Sequence, residues 1–184
     1  MASTRVRTLA LGVGLLMTLA ACGGSNNDGS SSPTGPDGSS SGGGGGSNDG
    51  DAPAFVATTL DGDELDSVSL EGRDTVLWFW APWCTTCRAE APDVTATAAA
   101  FDGDVEVIGV ASRGEVAQME DFVADTDTGS LTHVADPAGD IWSSYGVAAQ
   151  PAFAFIDDDG SYTVHLGALG ADGLQERFDQ LASR

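Results

Sequence analysis

Residues 76–90 read Val-Leu-Trp-Phe-Trp-Ala-Pro-Trp-Cys-Thr-Thr-Cys-Arg-Ala-Glu, and no other stretch limits the fold so tightly. A continuous apolar run of buried-strand length ends at Pro82, two cysteines follow with two residues between them, and a helix-favouring sequence comes next. That junction puts Cys84 at a helix start, where unpaired N–H groups favour thiolate over thiol. A disulfide from Cys84 to Cys87 would close too short a loop to add much stability by constraining the unfolded chain. The pair therefore reads as reactive. The chemistry implied is thiol–disulfide exchange, with Cys84 as the nucleophile and Cys87 as the resolving thiol, and it calls for no cofactor beyond the pair itself.

The chain divides into three parts. Residues 1–21 carry Arg5 and Arg7 and then an apolar stretch from Leu9 to Ala21, the layout of a secretory signal peptide and too short for a membrane span. The end of this stretch, Leu19-Ala20-Ala21-Cys22, resembles the lipobox of bacterial lipoproteins. That resemblance implies cleavage before Cys22 and a lipid anchor on its sulfur, hence an extracytoplasmic, membrane-tethered protein of the cell envelope. Residues 22–52 are mostly Gly, Ser, Asn and Asp, with the run Gly42 to Gly46, and offer almost nothing to bury. They are expected to form a flexible, disordered linker with a reach of roughly 30 Å. Residues 53–184 remain for one globular domain.

Seven basic residues against twenty-eight acidic ones give a net charge of −21, and lysine is absent. Such a surface argues against nucleic acid as a partner and favours a soluble, self-repelling domain, expected to be monomeric.

Two short extended pieces around Asp61-Gly62-Asp63 suggest a hairpin. Strands are expected at Thr75–Trp80, Val105–Ala111, Leu131–Ala135, Pro151–Asp157 and Ser161–Leu166. Helices are expected from Cys84 to Phe101 with a kink at Pro92, over Glu115–Ala124 with Val116, Met119, Phe122 and Val123 on one face, from Asp136 through Tyr145, and over Ala171–Ser183. Strands alternate with helices, then a hairpin and a last helix follow. This is an α/β chain with a mixed sheet flanked by helices.

The elements resemble the thioredoxin superfamily, in particular its extracytoplasmic TlpA, ResA and DsbE-like branch and the DsbE-like proteins of actinobacteria. The likeness rests on Trp83-Cys84-Thr85-Thr86-Cys87, on Pro92 five residues past the second cysteine, and on Tyr145-Gly146-Val147-Ala148-Ala149-Gln150-Pro151-Ala152-Phe153. It implies a thioredoxin-like fold with an N-terminal β-hairpin extension, a cis peptide before Pro151, and a client strand pairing with the backbone of Gln150. Trp83 would form an apolar docking patch beside the disulfide. Trp78 stands where cytoplasmic thioredoxins carry a buried aspartate. Glu90, three residues past Cys87, stands where ResA-like proteins place an active-site glutamate, and would exchange a proton with Cys87.

The implied activity is that of a protein thiol–disulfide oxidoreductase oxidising thiols of exported proteins and recharged by a membrane redox partner. Its alternative is a ResA-like disulfide reductase. A thiol peroxidase would need Pro-x-x-x-Thr-x-x-Cys, which is absent. A metal- or haem-handling module would need ligands beyond the pair, and neither His133 nor His165 has ligand spacing, so no metal is expected. Trp78, Trp80 and Trp142 read as core.

Overall fold

The computed structural model describes residues 46–184. The signal peptide, Cys22 and all but the last few residues of the expected linker lie outside this range. In chain order the strands are Gly46–Asp51 (β1), Val56–Thr58 (β2), Glu64–Asp66 (β3), Thr75–Trp80 (β4), Glu106–Ala111 (β5), Thr132–Ala135 (β6), Ala152–Ile156 (β7) and Ser161–Leu166 (β8). The α-helices are Thr85–Ala100 (α1), Val116–Thr126 (α2), Asp140–Ser144 (α3) and Gly170–Ala182 (α4).

Six strands form one sheet in the order β1-β8-β7-β4-β5-β6. β4 is buried along its whole length. It pairs in parallel with β5, which pairs in parallel with β6, and antiparallel with β7 on its other side. A strand with neighbours on both edges and layers on both faces has no solvent side, which is why its sequence is uniformly apolar rather than alternating. The hairpin of β2 and β3 is a separate antiparallel pair. The arrangement is the thioredoxin-like mixed sheet with its extra hairpin.

Strand alternation sorts the core into two layers. Val76, Trp78 and Trp80 face a layer built from α1, α2 and α4, including Val94, Phe122 and Phe178. Leu77 and Phe79 face Ile141, Trp142 and Tyr145 at α3, with Phe55 and Leu65 of the hairpin region packed behind them. Trp80 stacks on Phe122 at a centroid distance of 4.0 Å. Gly109 of β5 lies between Trp78 and His133 in register. A Cβ there would collide with the His133 imidazole and Trp80 Nε1, so only glycine fits beneath these two rings.

Three local features differ from expectation. The helix expected from Asp136 through Tyr145 is confined to Asp140–Ser144, and Asp136 lies outside it with its carboxylate accepting the Asp140 and Trp142 N–H groups. Val116, expected on the buried face of α2, is 43% exposed, because it opens the helix, while Met119 and Phe122 are fully buried. Gly46–Asp51 fall inside the segment read as linker, yet they pair antiparallel with β8 as an edge strand. Such a strand is held by main-chain hydrogen bonds, so an apolar pattern need not announce it.

Candidate active site

β4 ends at Trp80 and Ala81-Pro82-Trp83 carry the chain to Cys84, the N-cap residue of α1. Cys84 and Cys87 are joined by a disulfide. Cys84 Sγ also accepts the Cys87 N–H at 3.0 Å. This is the bond an N-cap side chain makes to the third helical N–H, and in the reduced state the same donor would meet a thiolate. Cys87 is fully buried, and Cys84 retains 5% of its surface. Pro92 lies inside α1 as expected.

The peptide between Gln150 and Pro151 is cis. β7 runs antiparallel to β4 with Ala152 opposite Phe79. Pro151 therefore sits at the end of the sheet from which the cysteine segment emerges. The Pro151 carbonyl accepts Gly167 N–H, whereas Gln150 makes no main-chain hydrogen bond among the described residues. Trp83 is 59% exposed, and its indole N–H donates to the Arg113 carbonyl at 2.8 Å.

Glu90 is buried on α1, and its carboxylate caps the start of α4. Oε1 accepts the N–H groups of Leu169 at 2.6 Å and Gly170 at 3.3 Å, and Oε2 is buried without a partner among the described residues. Burial pushes this carboxyl above its ordinary value, the two N–H donors oppose that rise, and the neighbouring Asp93 charge adds to it. Sequence spacing places Glu90 one helical turn from Cys87, but its cap on α4, about eighty residues away, has no sequence signal.

His133 has other work. His133 is buried beneath Trp80, whose indole N–H donates to Nδ1 at 3.3 Å, leaving Nε2–H to donate to the Thr128 carbonyl at 3.0 Å. Burial lowers its pKa and holds it neutral. Among the described residues, the one group of three or more potential metal-ligating side chains is Asp74, Asp157 and Asp158, and neither cysteine belongs to it. Trp78, Trp80 and Trp142 are core, with the Trp142 indole donating to the Val110 carbonyl.

Sequence reasoning missed Arg113. It follows β5, and its guanidinium donates to the Ala148 carbonyl at 2.7 Å and to Gln150 Oε1 at 3.1 Å. Ligands of α/β sheets gather beyond the carboxyl ends of the strands. A lone arginine just past β5 was the available signal.

A redox disulfide at a strand-to-helix junction, on a thioredoxin-like sheet beside a cis-proline, defines a thiol–disulfide oxidoreductase that needs no external cofactor. Comparison with known proteins agrees. The AhpC/TSA family model matches residues 49–164. The soluble secreted antigen MPT53 of Mycobacterium tuberculosis is 42% identical over 132 residues, which is 70% of this chain and 75% of the relative. The thiol-disulfide oxidoreductase ResA of Bacillus cereus is 30% identical over 133 residues, 71% of this chain and 76% of that one. The solved structure of M. tuberculosis dsbF superposes with a TM-score of 0.67 at 42% identity, covering 69% of this chain and 94% of that chain. The chain belongs to the AhpC/TSA family of the thioredoxin superfamily and is closely related to the actinobacterial DsbE, DsbF and MPT53-like thiol–disulfide oxidoreductases.

Proposed function

We propose that this protein is a membrane-tethered, extracytoplasmic oxidant of thiols in exported proteins. The observation that carries the reading is the Cys84–Cys87 disulfide, with Cys84 Sγ at the helix cap accepting the Cys87 N–H. A client thiolate attacks Cys84 Sγ, the Cys84–Cys87 bond breaks, and a client–Cys84 disulfide forms as Cys87 leaves as thiolate. A second client thiolate then attacks the client sulfur of this mixed disulfide. The client gains a disulfide, Cys84 departs as thiolate, and two electrons have passed to the protein. A membrane redox partner removes those electrons to complete the cycle.

Helix N–H groups stabilise the departing Cys84 thiolate, which favours the reduced form and makes the disulfide oxidising. Glu90, buried and with a raised pKa, is the group that returns a proton to Cys87. The client lies extended along Gln150, whose free main-chain groups support strand pairing, with exposed Trp83 as an apolar contact.

The extracytoplasmic location is supported by the signal-peptide layout and by the relative described as a secreted antigen. The tether is Cys22 with its lipid. A Cys22→Ser variant should lose membrane partitioning, and equal release of both forms into the medium would mean plain secretion.

ResA-like disulfide reduction is the second reading, favoured by Glu90 and by 30% identity to ResA. Peroxidase chemistry is disfavoured: Leu77 and Ala81 stand where the peroxidatic cysteine motif would need Pro and Thr ahead of Cys84.

Incubating the oxidised full-length chain with a reduced, unfolded client tests the direction. One client disulfide formed for each Cys84–Cys87 bond consumed is the expected result. No client oxidation, with reduction of client disulfides by the dithiol form, would install the reductase reading instead.

A further inference from the structure

Arg113 holds a backbone conformation that arginine rarely adopts, with φ at 59°. Several bonds maintain it. Its carbonyl accepts the Trp83 indole N–H, while its guanidinium donates to the Ala148 carbonyl and to Gln150 Oε1. The guanidinium carbon also lies 4.8 Å from the centroid of the Trp142 ring, a cation–π contact on a side chain that is itself buried.

The next residue adds a second constraint. A Cβ on Gly114 would collide with the Pro82 ring, so this loop is pressed against the segment leading into the cysteines. Ser112 N–H donates to the Trp80 carbonyl from the other side of Arg113. Strain of this kind persists only where the surroundings over-determine it, and it gathers at functional sites.

Three other arginines show what Arg113 does not do: Arg73, Arg88 and Arg184 each pair with a carboxylate, while Arg177 donates to the Thr163 hydroxyl and lies over the Phe155 ring. Among the described residues Arg113 has no carboxylate partner, although acidic residues outnumber basic ones fourfold. Its donors go to neutral oxygens on the cis-proline loop instead. A planar fork with several donors bridges two acceptors in fixed geometry in a way that a single ammonium does not.

We propose that Arg113 is a positioning residue that latches Trp83 to the Ala148–Pro151 loop, so that the two sides of the client groove form one preorganised surface. The inference rests on the proposed client contact at Gln150 and Trp83. The latch touches neither sulfur. It acts on how well an extended client is held, and leaves the reactivity of the disulfide to the helix cap.

The test compares the full-length chain with Arg113→Gly and Arg113→Lys. Glycine accepts a positive φ without strain and keeps the carbonyl that receives Trp83, so Arg113→Gly removes the side chain with its guanidinium and leaves the Trp83 acceptor in place. Exchange between Cys84 and a cysteine-containing peptide is followed in either direction, with glutathione as the small-thiol reference. In Arg113→Gly the peptide KM should rise about tenfold while kcat changes less than about twofold, the pattern of lost binding without lost chemistry. The peptide-to-glutathione rate ratio should fall by the same factor, and Arg113→Lys should recover only part of it. An unchanged peptide KM overturns the latch, as does an equal loss with peptide and glutathione. Failure of the unaltered chain to exchange with the peptide in either direction overturns the oxidoreductase reading itself, which is a distinct result.

Discussion

At the residue scale the site divides its labour between groups that react and groups that hold. Cys84 and Cys87 are near neighbours in sequence, so their spacing alone announced the disulfide. Glu90 was legible as a glutamate one turn beyond Cys87, but its bonds to Leu169 and Gly170 cross about eighty residues, and no local pattern encodes such a partner. Arg113 was legible only as a lone arginine just past β5; its acceptors on Ala148 and Gln150 belong to a loop that only the folded sheet brings near.

Glu90 carries a pH prediction. Its folded-state pKa is raised from the ordinary value of 4.5, with burial as the largest cause. Below that ordinary value the carboxyl is protonated in folded and unfolded chains alike, and its contribution to stability is fully present. As pH rises through the folded-state value the unfolded chain has already released its proton, so ionisation in the buried site costs stability. The oxidised protein should therefore lose stability above about pH 4.5 by an amount that Glu90→Gln abolishes. Denaturant unfolding of both forms across this range measures it, and parallel stability curves would show that the carboxyl is not strained by burial.

At the scale of elements, β4 and α1 have nearly the boundaries their sequences suggest. A continuous apolar run of strand length and a helix opened by its own cap leave little freedom. The exposure of Val116 shows where periodicity runs out: it reports which face of α2 points inward, but not that the residue opening the helix lies clear of the core. β1 left no trace, since an edge strand needs only backbone donors and acceptors. Gly109 is a subtler case. Its glycine reads as an ordinary strand weakness, and only the crossing of the Trp80 and His133 rings shows that a side chain has no room. Gly109→Ala should cost about 1–3 kcal/mol by overpacking, read as a lower denaturation midpoint with an unchanged m-value. An unaltered midpoint would mean that the rings move aside without loss.

At the scale of the whole molecule, two features set the working conditions. The acidic surface repels acidic partners over a Debye length of about 8 Å at physiological salt. The ion pairs of Arg73 and Arg88 are at least partly exposed and add little stability of their own. The redox centre lies at the end of the sheet where β4 hands over to α1 and the cis-proline loop enters β7. The fold and the position of that centre were legible because the thioredoxin-like pattern spans the domain. Its potential was not, because it depends on the balance between the helix-capped thiolate and the closed disulfide, a difference in energies rather than a pattern. About 30 mV in that balance corresponds to about 1.4 kcal/mol for a two-electron couple.

The measurement that bears most directly on the proposed oxidant is the reduction potential of Cys84–Cys87 in the full-length chain, equilibrated against glutathione buffers and followed by the emission of the adjoining Trp83. A helix cap that favours the reduced form predicts a value nearer to about −120 mV than to about −270 mV. A value near about −270 mV, that of a thioredoxin-like reductant, would contradict the oxidant role and assign the same site to reduction.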